Sequence, residues 1–314
     1  QVVTTVLVSE YLPDAYVEML RARHEAIYDP DLCTDRSRLL DQMGGVEAIF
    51  IRNRTRIDDE LIAAGADLRV VGRLGVGLDN IDLSACERAG VRVFSAVGAN
   101  AVSVAEYVIG AMLVLVRGVF GMSPSMVAGE WPRQGHAFGF ELMGKAIGLV
   151  GFGSIAREVA TRAAALGMDV LAHDPFLPDD DPAWAIVRSV DMDTLLASAD
   201  VISLHVPLTD ETRNLIDARV LGRMRPTAVL INTARGGIVD ESALAEALRE
   251  GRLGGAVLDV FAAEPLGPEP AAVFAGIPNL LLTPHVAGNT RESVDRVARM
   301  IVEKVLEELG PNSD

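Results

Sequence analysis

The fold of this chain is decided by residues 145–175, which read KAIGLVGFGSIAREVATRAAALGMDVLAHDP. An apolar run at 146–150 predicts a strand, and the glycine turn GFGSIA follows it directly. Apolar residues at helical spacing predict a helix over 157–166, and a second apolar run follows at 170–172. The stretch is therefore predicted to form a strand, a tight turn, a helix and a second strand that ends at Asp174.

This turn has the features of a dinucleotide-binding site. Gly151 and Gly153 lack a Cβ atom, so the main chain can approach a pyrophosphate, and the helix behind them offers free N–H groups. Ala156 occupies the third position of the GxGxxG pattern, which governs helix–strand packing and tolerates Ala. Asp174 can accept hydrogen bonds from both ribose hydroxyls and would repel the 2′-phosphate of NADP. The pattern predicts NAD as the cofactor; the alternative is an ordinary strand–helix turn without a ligand.

Length and charge restrict the class of protein. A chain of 314 residues, 50% of them hydrophobic, is expected to fold into two domains with large cores. Asp and Glu total 44 against 28 Lys and Arg, and the net charge of −16 disfavours nucleic acid and anionic membranes as partners. The apolar runs are too short to cross a membrane, and residues 1–5 lack a secretion signal. Cys33 and Cys86 are isolated, which predicts reduced thiols, no metal site and a cytoplasmic protein.

Strand and helix patterns alternate along most of the chain. In addition to those of residues 145–175, strands are predicted at 5–8, 48–51, 69–71, 91–94, 201–205, 228–232, 255–259 and 280–283. Helices are predicted at 14–24, 58–64, 83–89, 192–198, 217–223, 241–250 and 290–309. Ser103 and Glu106 have the spacing of a capping box, which predicts the start of a long apolar helix that continues to about Val119.

This alternation predicts an α/β fold with two doubly wound parallel-sheet domains. Residues 99–286 are expected to form a Rossmann domain that binds NAD. Residues 1–98 and 287–314 are expected to form a flavodoxin-like substrate domain, with the helix at 290–309 packing back onto it. The two crossovers predict a cleft between the domains, and the ligands of such sheets lie at the carboxyl ends of the strands.

Three charged residues follow predicted strands of the second domain, namely Arg235, Glu264 and His285. Arginine offers a planar guanidinium suited to a carboxylate, and histidine can accept or give a proton near neutral pH. Glu264 could hold the imidazole of His285. Each residue alone is also typical of a surface salt bridge or a solvated loop. The hypothesis of a catalytic trio rests on their shared position at the edge where the dinucleotide should lie.

Three motifs resemble those of the D-isomer-specific 2-hydroxyacid dehydrogenase family. Residues 232–240 read NTARGGIVD and match the arginine motif, and residues 258–266 read LDVFAAEPL and match the glutamate motif. Residues 283–288 read TPHVAG and match the histidine motif. The resemblance covers nearly the whole chain, so the protein is identified as a member of this family.

The resemblance implies a role for each motif residue. His285 would be the acid/base, Glu264 its carboxylate partner, and Arg235 the residue that binds the substrate carboxylate and polarises the C2 oxygen. The implied cofactor contacts are Gly151, Gly153, Ser154, Ile155, Asp174, Val206, Thr233, Ala234, Asp259 and Val76. Main-chain N–H groups of Val76 and Gly77 would also meet the substrate carboxylate. The family transfers a hydride between NAD and C2 of a 2-hydroxy acid, and no metal is implied.

The substrate is predicted from the N-terminal part of the chain. Residues 51–56, IRNRTR, and 72–80, GRLGVGLDN, most resemble the phosphoglycerate dehydrogenase branch, without its C-terminal regulatory domain. That branch handles a second anionic group, and Arg52 and Arg54 could supply the charge that binds it. The alternative interpretation is that Arg54 and Arg56 are solvated. The expected substrate is a three-carbon acid such as 3-phosphoglycerate or sulfolactate.

Other functions on the same fold are carried forward as alternatives. They are a hydroxypyruvate or glyoxylate reductase, a dinucleotide-sensing corepressor or scaffold without catalysis, and a relative that acts on formate or phosphite. The resemblance also suggests a homodimer formed through the NAD-binding domain, with the helix near Tyr107 and the segment around Trp131 at the interface.

Overall fold

The computed structural model describes residues 4–133 and 139–310. The chain divides into two compact units, which we call unit 1 (Gln1–Asn100 with Asn289–Asp314) and unit 2 (Ala101–Gly288). Each unit has a parallel β-sheet covered by helices, so the predicted α/β fold with two parallel-sheet domains is confirmed.

Strands and helices alternate along the described parts of the chain. The strands are β1 Thr5–Val8, β2 Glu25–Tyr28, β3 Val46–Ile51, β4 Val70–Arg73, β5 Arg92–Ser95, β6 Ala146–Val150, β7 Asp169–His173, β8 Arg188–Ser189, β9 Val201–Leu204, β10 Val229–Asn232, β11 Gly255–Leu258 and β12 Leu280–Leu282. The α-helices are α1 Asp14–Arg21, α2 Arg36–Asp41, α3 Asp59–Ala64, α4 Leu83–Ala89, α5 Ala101–Arg117, α6 Ser123–Val127, α7 Ser154–Ala165, α8 Met192–Ser198, α9 Ala218–Leu221, α10 Glu241–Arg249, α11 Pro268–Ala271 and α12 Arg291–Leu309. Short 3-10 helices lie at Pro30–Thr34, Phe120–Met122, Pro182–Ile186 and Ala272–Phe274.

Among the described residues of unit 1, the sheet has five parallel strands in the order β2-β1-β3-β4-β5. Side chains alternate between its two faces, as in any strand. Val6 and Val8 pack against α1 and α12, whereas Leu7 packs with residues of α2, α3 and α4. The last helix also packs in this core, where Ile301 and Val305 of α12 are fully buried.

In the described part of unit 2, the sheet has seven parallel strands in the order β12-β11-β10-β9-β6-β7-β8. The chain runs outward from β6 to β7 and β8, and then crosses to the other side of β6 to form β9. Such a reversal of strand order opens a crevice at the carboxyl ends of the two strands beside it, which is where these sheets bind ligands. The glycine turn follows β6 and therefore lies at this crevice.

The long apolar helix starts earlier than predicted. Helix α5 begins at Ala101, so the predicted capping box at Ser103 is wrong, and Ser103 is buried inside the helix. The reason is packing: Ala101 and Val104 are buried on the same face, and core contacts extend a helix beyond its local start signals. The helix ends before Gly118, which has a φ of +62°.

Strands β2 and β8 and helix α2 are not predicted by the sequence patterns. Both strands lie at the edges of their sheets, where residues are more exposed and the apolar pattern is weak. Helix α2 did carry a signal, because the Asp35 side chain accepts a hydrogen bond from the Arg38 N–H and caps the helix.

Within the described ranges, no single helix is both long and apolar enough to cross a membrane. One pair of helices, Ala101–Arg117 with Phe120–Val127, passes that test of length and composition only when joined across a 70° bend.

Candidate active site

The predicted trio comes together at one edge of unit 2. Strands β10, β11 and β12 are parallel neighbours, and Arg235, Glu264 and His285 lie in the loops that follow them. The closest contact joins His285 Nδ1 and Glu264 Oε2, which are 2.7 Å apart. A carboxylate on one ring nitrogen fixes the orientation of an imidazole and leaves the other nitrogen for proton transfer.

Glu264 is held as an anion. Burial raises the pKa of its carboxyl group, but the hydrogen bonds from His285 and from the Phe261 N–H oppose this effect and outweigh it. The positive charge of Arg235 acts in the same direction, and the resulting pKa lies below the ordinary value of a glutamate. Glu264 is therefore ionised near neutral pH, where it can stabilise a protonated His285.

Asp259 anchors the loop that carries His285. Its buried carboxylate accepts hydrogen bonds from the N–H groups of Val286 and Ala287, each at 2.9 Å. It also accepts one from Thr283 Oγ1 at 2.6 Å, and Tyr107 Oη of α5 lies 2.5 Å from that hydroxyl. These bonds hold the main chain on both sides of His285, whose own φ of +55° lies in the left-handed region.

The loop of Arg235 is fixed to the loop of Glu264. Asn232, which is almost fully buried, donates from Nδ2 to the Arg235 carbonyl at 2.9 Å and accepts the Ala234 N–H at 3.1 Å. The next residue, Gly236, lies so close to Phe261 that a Cβ atom there would be 1.7 Å from the Phe261 carbonyl oxygen. The two loops thus touch through main-chain atoms, which fixes the spacing of the residues they carry.

Glu241 is a member of the site that the sequence analysis missed. Its Oε1 accepts a hydrogen bond from the Ala262 N–H at 2.6 Å and so holds the turn that carries Glu264. Burial raises the pKa of Glu241, and the negative charges of Asp240 and Glu264 add to this effect. In the sequence, Asp240-Glu241 reads as an ordinary acidic helix start, and the contact across 21 residues leaves no local signal.

The glycine turn is shaped to receive a ligand from outside. Gly151 has a φ of +86°, and a Cβ atom there would be 2.6 Å from the His205 carbonyl oxygen. At Gly153, by contrast, a Cβ atom would meet nothing within 4 Å. Helix α7 begins at the next residue, Ser154, and no side chain caps its first turn, so its N–H groups are available to an anion. Asp174 accepts a hydrogen bond from the Phe152 N–H at 2.9 Å, which places its carboxylate beside the turn.

Two polar atoms at the same edge of this sheet fit a polar ligand. Thr233 Oγ1 and His205 Nε2 are shielded from solvent and have no hydrogen-bond partner within the described residues. They follow the neighbouring strands β10 and β9, and Val206 comes directly after His205. Burial lowers the pKa of His205 to about 4, so its ring is neutral at physiological pH. Unpaired buried polar atoms are costly, and a bound dinucleotide would supply partners for them.

The remaining predicted substrate contacts lie in unit 1. Arg52 follows β3, and Val76 and Gly77 follow the neighbouring strand β4. Arg73 Nε donates to the Gly77 carbonyl at 2.8 Å and so fixes the loop of Val76 and Gly77. Asn80 Nδ2 donates to the Arg52 carbonyl at 3.0 Å, which joins the two loops. Across the described ranges, no group of three His, Cys, Asp or Glu side chains could hold a metal ion.

Comparison with known proteins gives the class of this site. The family model described as D-isomer specific 2-hydroxyacid dehydrogenase, NAD binding domain, matches residues 109–287. The (S)-sulfolactate dehydrogenase of Chromohalobacter salexigens is 52% identical over 306 residues, which cover 97% of this chain and 98% of that protein. The D-3-phosphoglycerate dehydrogenase of Archaeoglobus fulgidus is 39% identical over 301 residues, which cover 96% of this chain and 56% of that protein.

A solved structure agrees with this assignment. The crystal structure of the TT0316 protein from Thermus thermophilus superposes with a TM-score of 0.88 at 36% identity, covering 98% of this chain and 97% of that one. The chain therefore belongs to the D-isomer-specific 2-hydroxyacid dehydrogenase family. It is an NAD-dependent oxidoreductase that interconverts a 2-hydroxy acid and its 2-keto acid, and the predictions of family, enzyme class and cofactor are confirmed.

Proposed function

We propose that this enzyme oxidises a D-2-hydroxy acid of three carbons that carries a second anionic group, with (S)-sulfolactate as its preferred substrate. The observation that carries the proposal is the loop after β3, where Arg52 and Arg54 stand within three residues of one another on an otherwise acidic protein. The 52% identity to a sulfolactate dehydrogenase, over 97% of this chain and 98% of that protein, supports the sulfonate as the second anion.

Stereochemistry is consistent with this choice. In lactate, the carboxylate outranks the methyl group, and the D isomer is therefore R. In sulfolactate, the carbon attached to sulfur outranks the carboxylate carbon, so the same spatial arrangement is named S. An (S)-sulfolactate dehydrogenase thus acts on the D configuration that the family name specifies.

The residues of unit 2 account for the reaction. Arg235 would hold the substrate carboxylate through paired hydrogen bonds and polarise the C2 oxygen. His285 Nε2 would take the hydroxyl proton during oxidation and return it during reduction, while Glu264 holds Nδ1 and stabilises the imidazolium that forms. Bound NAD supplies the hydride chemistry at C2. The chain provides the residues that orient the substrate and move the proton.

A substrate panel with matched arginine variants tests the proposal. We expect kcat/KM for sulfolactate and 3-phosphoglycerate to exceed that for lactate and glycerate. Arg52→Ala and Arg54→Ala should each lower kcat/KM for the dianionic acids by about 10- to 100-fold, since a charge-assisted hydrogen bond contributes about 1.5–3 kcal/mol. Arg56→Ala removes an equally charged, exposed residue two positions further on and serves as the control.

The panel also separates the alternatives. A preference for hydroxypyruvate or glyoxylate over dianionic 2-keto acids would identify a reductase of those substrates and contradict the proposal. Tight NADH binding without turnover of any acid would favour a dinucleotide-sensing corepressor or scaffold. Turnover of formate or phosphite alone would indicate the third alternative.

We also propose a homodimer formed through unit 2. Apolar side chains after α5 are exposed in the single chain: Phe120 by 62%, Val127 by 90% and Trp131 by 66%. Exposed apolar residues clustered in one segment are typical of an interaction surface, and a second copy is the commonest partner of a soluble enzyme. Sedimentation of the purified protein checks the proposal, and a monomer at micromolar concentration would contradict it.

We further propose that the enzyme is cytoplasmic. Its proposed ligands are NAD and a small anionic acid, without nucleic acid or membrane. Cys33 and Cys86 are both free thiols, as expected in a reducing compartment. The net charge of −16 disfavours binding to nucleic acid or anionic lipid.

A further inference from the structure

A buried carboxylate supports the loop that carries the two arginines. Glu10 follows β1 and is only 3% exposed. Its side chain accepts hydrogen bonds from three main-chain N–H groups of the loop after β3: those of Arg52 at 2.7 Å, Thr55 at 2.9 Å and Arg54 at 3.2 Å. We call residues 52–55 the arginine loop.

Carbonyl groups of the same loop accept hydrogen bonds from a second residue, Asn80. Asn80 Nδ2 donates to the carbonyl oxygens of Arg52 at 3.0 Å and Thr55 at 2.6 Å. Ser9, beside Glu10, bonds the buried Thr55 hydroxyl at 3.0 Å. The main chain of the arginine loop is therefore fixed through both its donors and its acceptors by side chains outside the loop.

Neither arginine side chain of this loop is buried. Arg54 is exposed, and Arg52 is partly exposed. The guanidinium of Arg52 lies 5.9 Å from the centre of the Tyr11 ring, and its Nη2 is 3.4 Å from Asn289 Oδ1. Tyr11 directly follows Glu10 in the chain, so one short segment holds both the main chain of the loop and one of its charged groups.

A fixed main chain in the arginine loop favours binding of an anionic group by its arginine side chains. An arginine side chain has about 2 kcal/mol of rotamer entropy to lose when it binds, and a loop that moved would add its own ordering cost. A loop whose main chain is already fixed removes that second cost. The carboxylate is also suited to its position, because it only accepts hydrogen bonds and can serve three converging donors.

We propose that Glu10 is a positioning residue for the second anionic group of the substrate. It sets the main chain of the arginine loop so that Arg52 and Arg54 meet a sulfonate or phosphate without reordering. This inference rests on the proposed function, since it assumes a substrate with two anionic groups. It assigns no part in hydride or proton transfer to Glu10.

The test compares two 2-keto acids that differ only in the second group. Sulfopyruvate carries the anion, and hydroxypyruvate has a neutral hydroxyl in its place. In Glu10→Gln, the amide oxygen can still accept hydrogen bonds. The NH2 group replaces the other carboxylate oxygen and cannot accept the main-chain N–H groups of the loop. We expect KM for sulfopyruvate to rise about tenfold or more, while KM for hydroxypyruvate, KM for NADH and both kcat values change less than about twofold.

Two further variants exclude a general loss of stability. Asn80→Ala releases the loop from the carbonyl side and should shift the same substrate preference, even if Glu10→Gln does not fold. Asp200→Asn alters a buried carboxylate in unit 2 that also accepts a main-chain N–H, from Ala146 at 2.9 Å, and bonds Arg225. We expect it to lower the thermal midpoint without changing the ratio of the two KM values.

The outcomes separate this inference from the proposed function. If the wild-type enzyme shows no preference for sulfopyruvate or phosphohydroxypyruvate over hydroxypyruvate, the proposed function fails. If the wild type has that preference and the Glu10 and Asn80 variants keep it, the inference alone is overturned. Equal increases in both KM values would show that Glu10 merely stabilises the fold, and would also overturn it.

Discussion

At the scale of single residues, the site is built from charged groups whose partners are fixed. Glu264 is held by a main-chain N–H and bonds His285, and Glu241 holds the turn behind it. Such supporting contacts matter because a general acid or base must lie within hydrogen-bond reach of the proton it moves. The position of Glu264 therefore depends on residues outside the trio.

The proton-transfer role predicts the kinetics of a His285 variant. We expect His285→Ala to lower kcat by about 10²–10⁴-fold, because removal of a general acid/base costs that much. NADH affinity, measured by fluorescence titration, should stay within about threefold of wild type. Val286→Ala alters the neighbouring, exposed side chain while the main-chain bond to Asp259 remains, and it serves as the control. An unchanged kcat in His285→Ala would refute the assignment.

At the scale of elements, the turn between β6 and α7 contains two glycines, Gly151 and Gly153, whose backbone conformation and surroundings differ. Gly151 needs a positive φ and has a carbonyl oxygen where a Cβ atom would stand. Gly153 has an ordinary φ of −77° and open space at that point. The first glycine is therefore required by the fold itself, whereas the described residues around Gly153 leave room for a side chain.

This difference predicts opposite behaviour of two alanine variants. Gly151→Ala should destabilise the protein by roughly 1–3 kcal/mol, because the substitution adds both strain and a clash. Gly153→Ala should keep the wild-type thermal midpoint but weaken NADH binding by about tenfold or more, since its methyl group would lie where the pyrophosphate must approach. Calorimetry and NADH titration on both proteins check this. Unchanged NADH binding by Gly153→Ala would contradict the assigned cofactor position.

Sequence patterns predicted the central elements and the trio because both leave local signals. The buried strands are short apolar runs, and Arg235, Glu264 and His285 stand in motifs at strand ends. Edge strands such as β2 lack that pattern, and helix α5 starts where packing, not a cap, decides. The contacts of Glu241 and Tyr107 could not be predicted, because they join residues 21 and 176 positions apart through tertiary structure.

At the scale of the whole molecule, two histidines with solvent-shielded ring nitrogens, His24 and His205, couple folding to pH. Burial lowers the pKa of His205 to about 4, and burial, with a smaller effect of Arg23, also lowers the pKa of His24. An unfolded histidine titrates near 6.5. Between pH 6.5 and the folded values, the unfolded chain therefore binds protons that the folded protein does not, and the free energy of unfolding falls as pH falls.

The predicted acid dependence can be measured on the protein free of cofactor. We expect the urea midpoint to decrease from pH 7 to pH 5, a range that lies above the usual titration of carboxylates. His205→Gln removes one of the two titrating groups and should make this decrease smaller. An identical decrease in the variant and the wild type would show that His205 does not take up its proton on unfolding.

The support of the arginine loop has a consequence for how this enzyme can diversify. The contacts of Glu10 and Asn80 with residues 52–55 involve only main-chain atoms of that loop, and every amino acid except proline offers those atoms. The main-chain path of residues 52–54 is thus independent of which side chains they carry, whereas Thr55 is also held through its own hydroxyl. Natural variation or laboratory selection can therefore replace residues 52–54 together. The substrate range can change in this way while Glu10 and Asn80 stay the same.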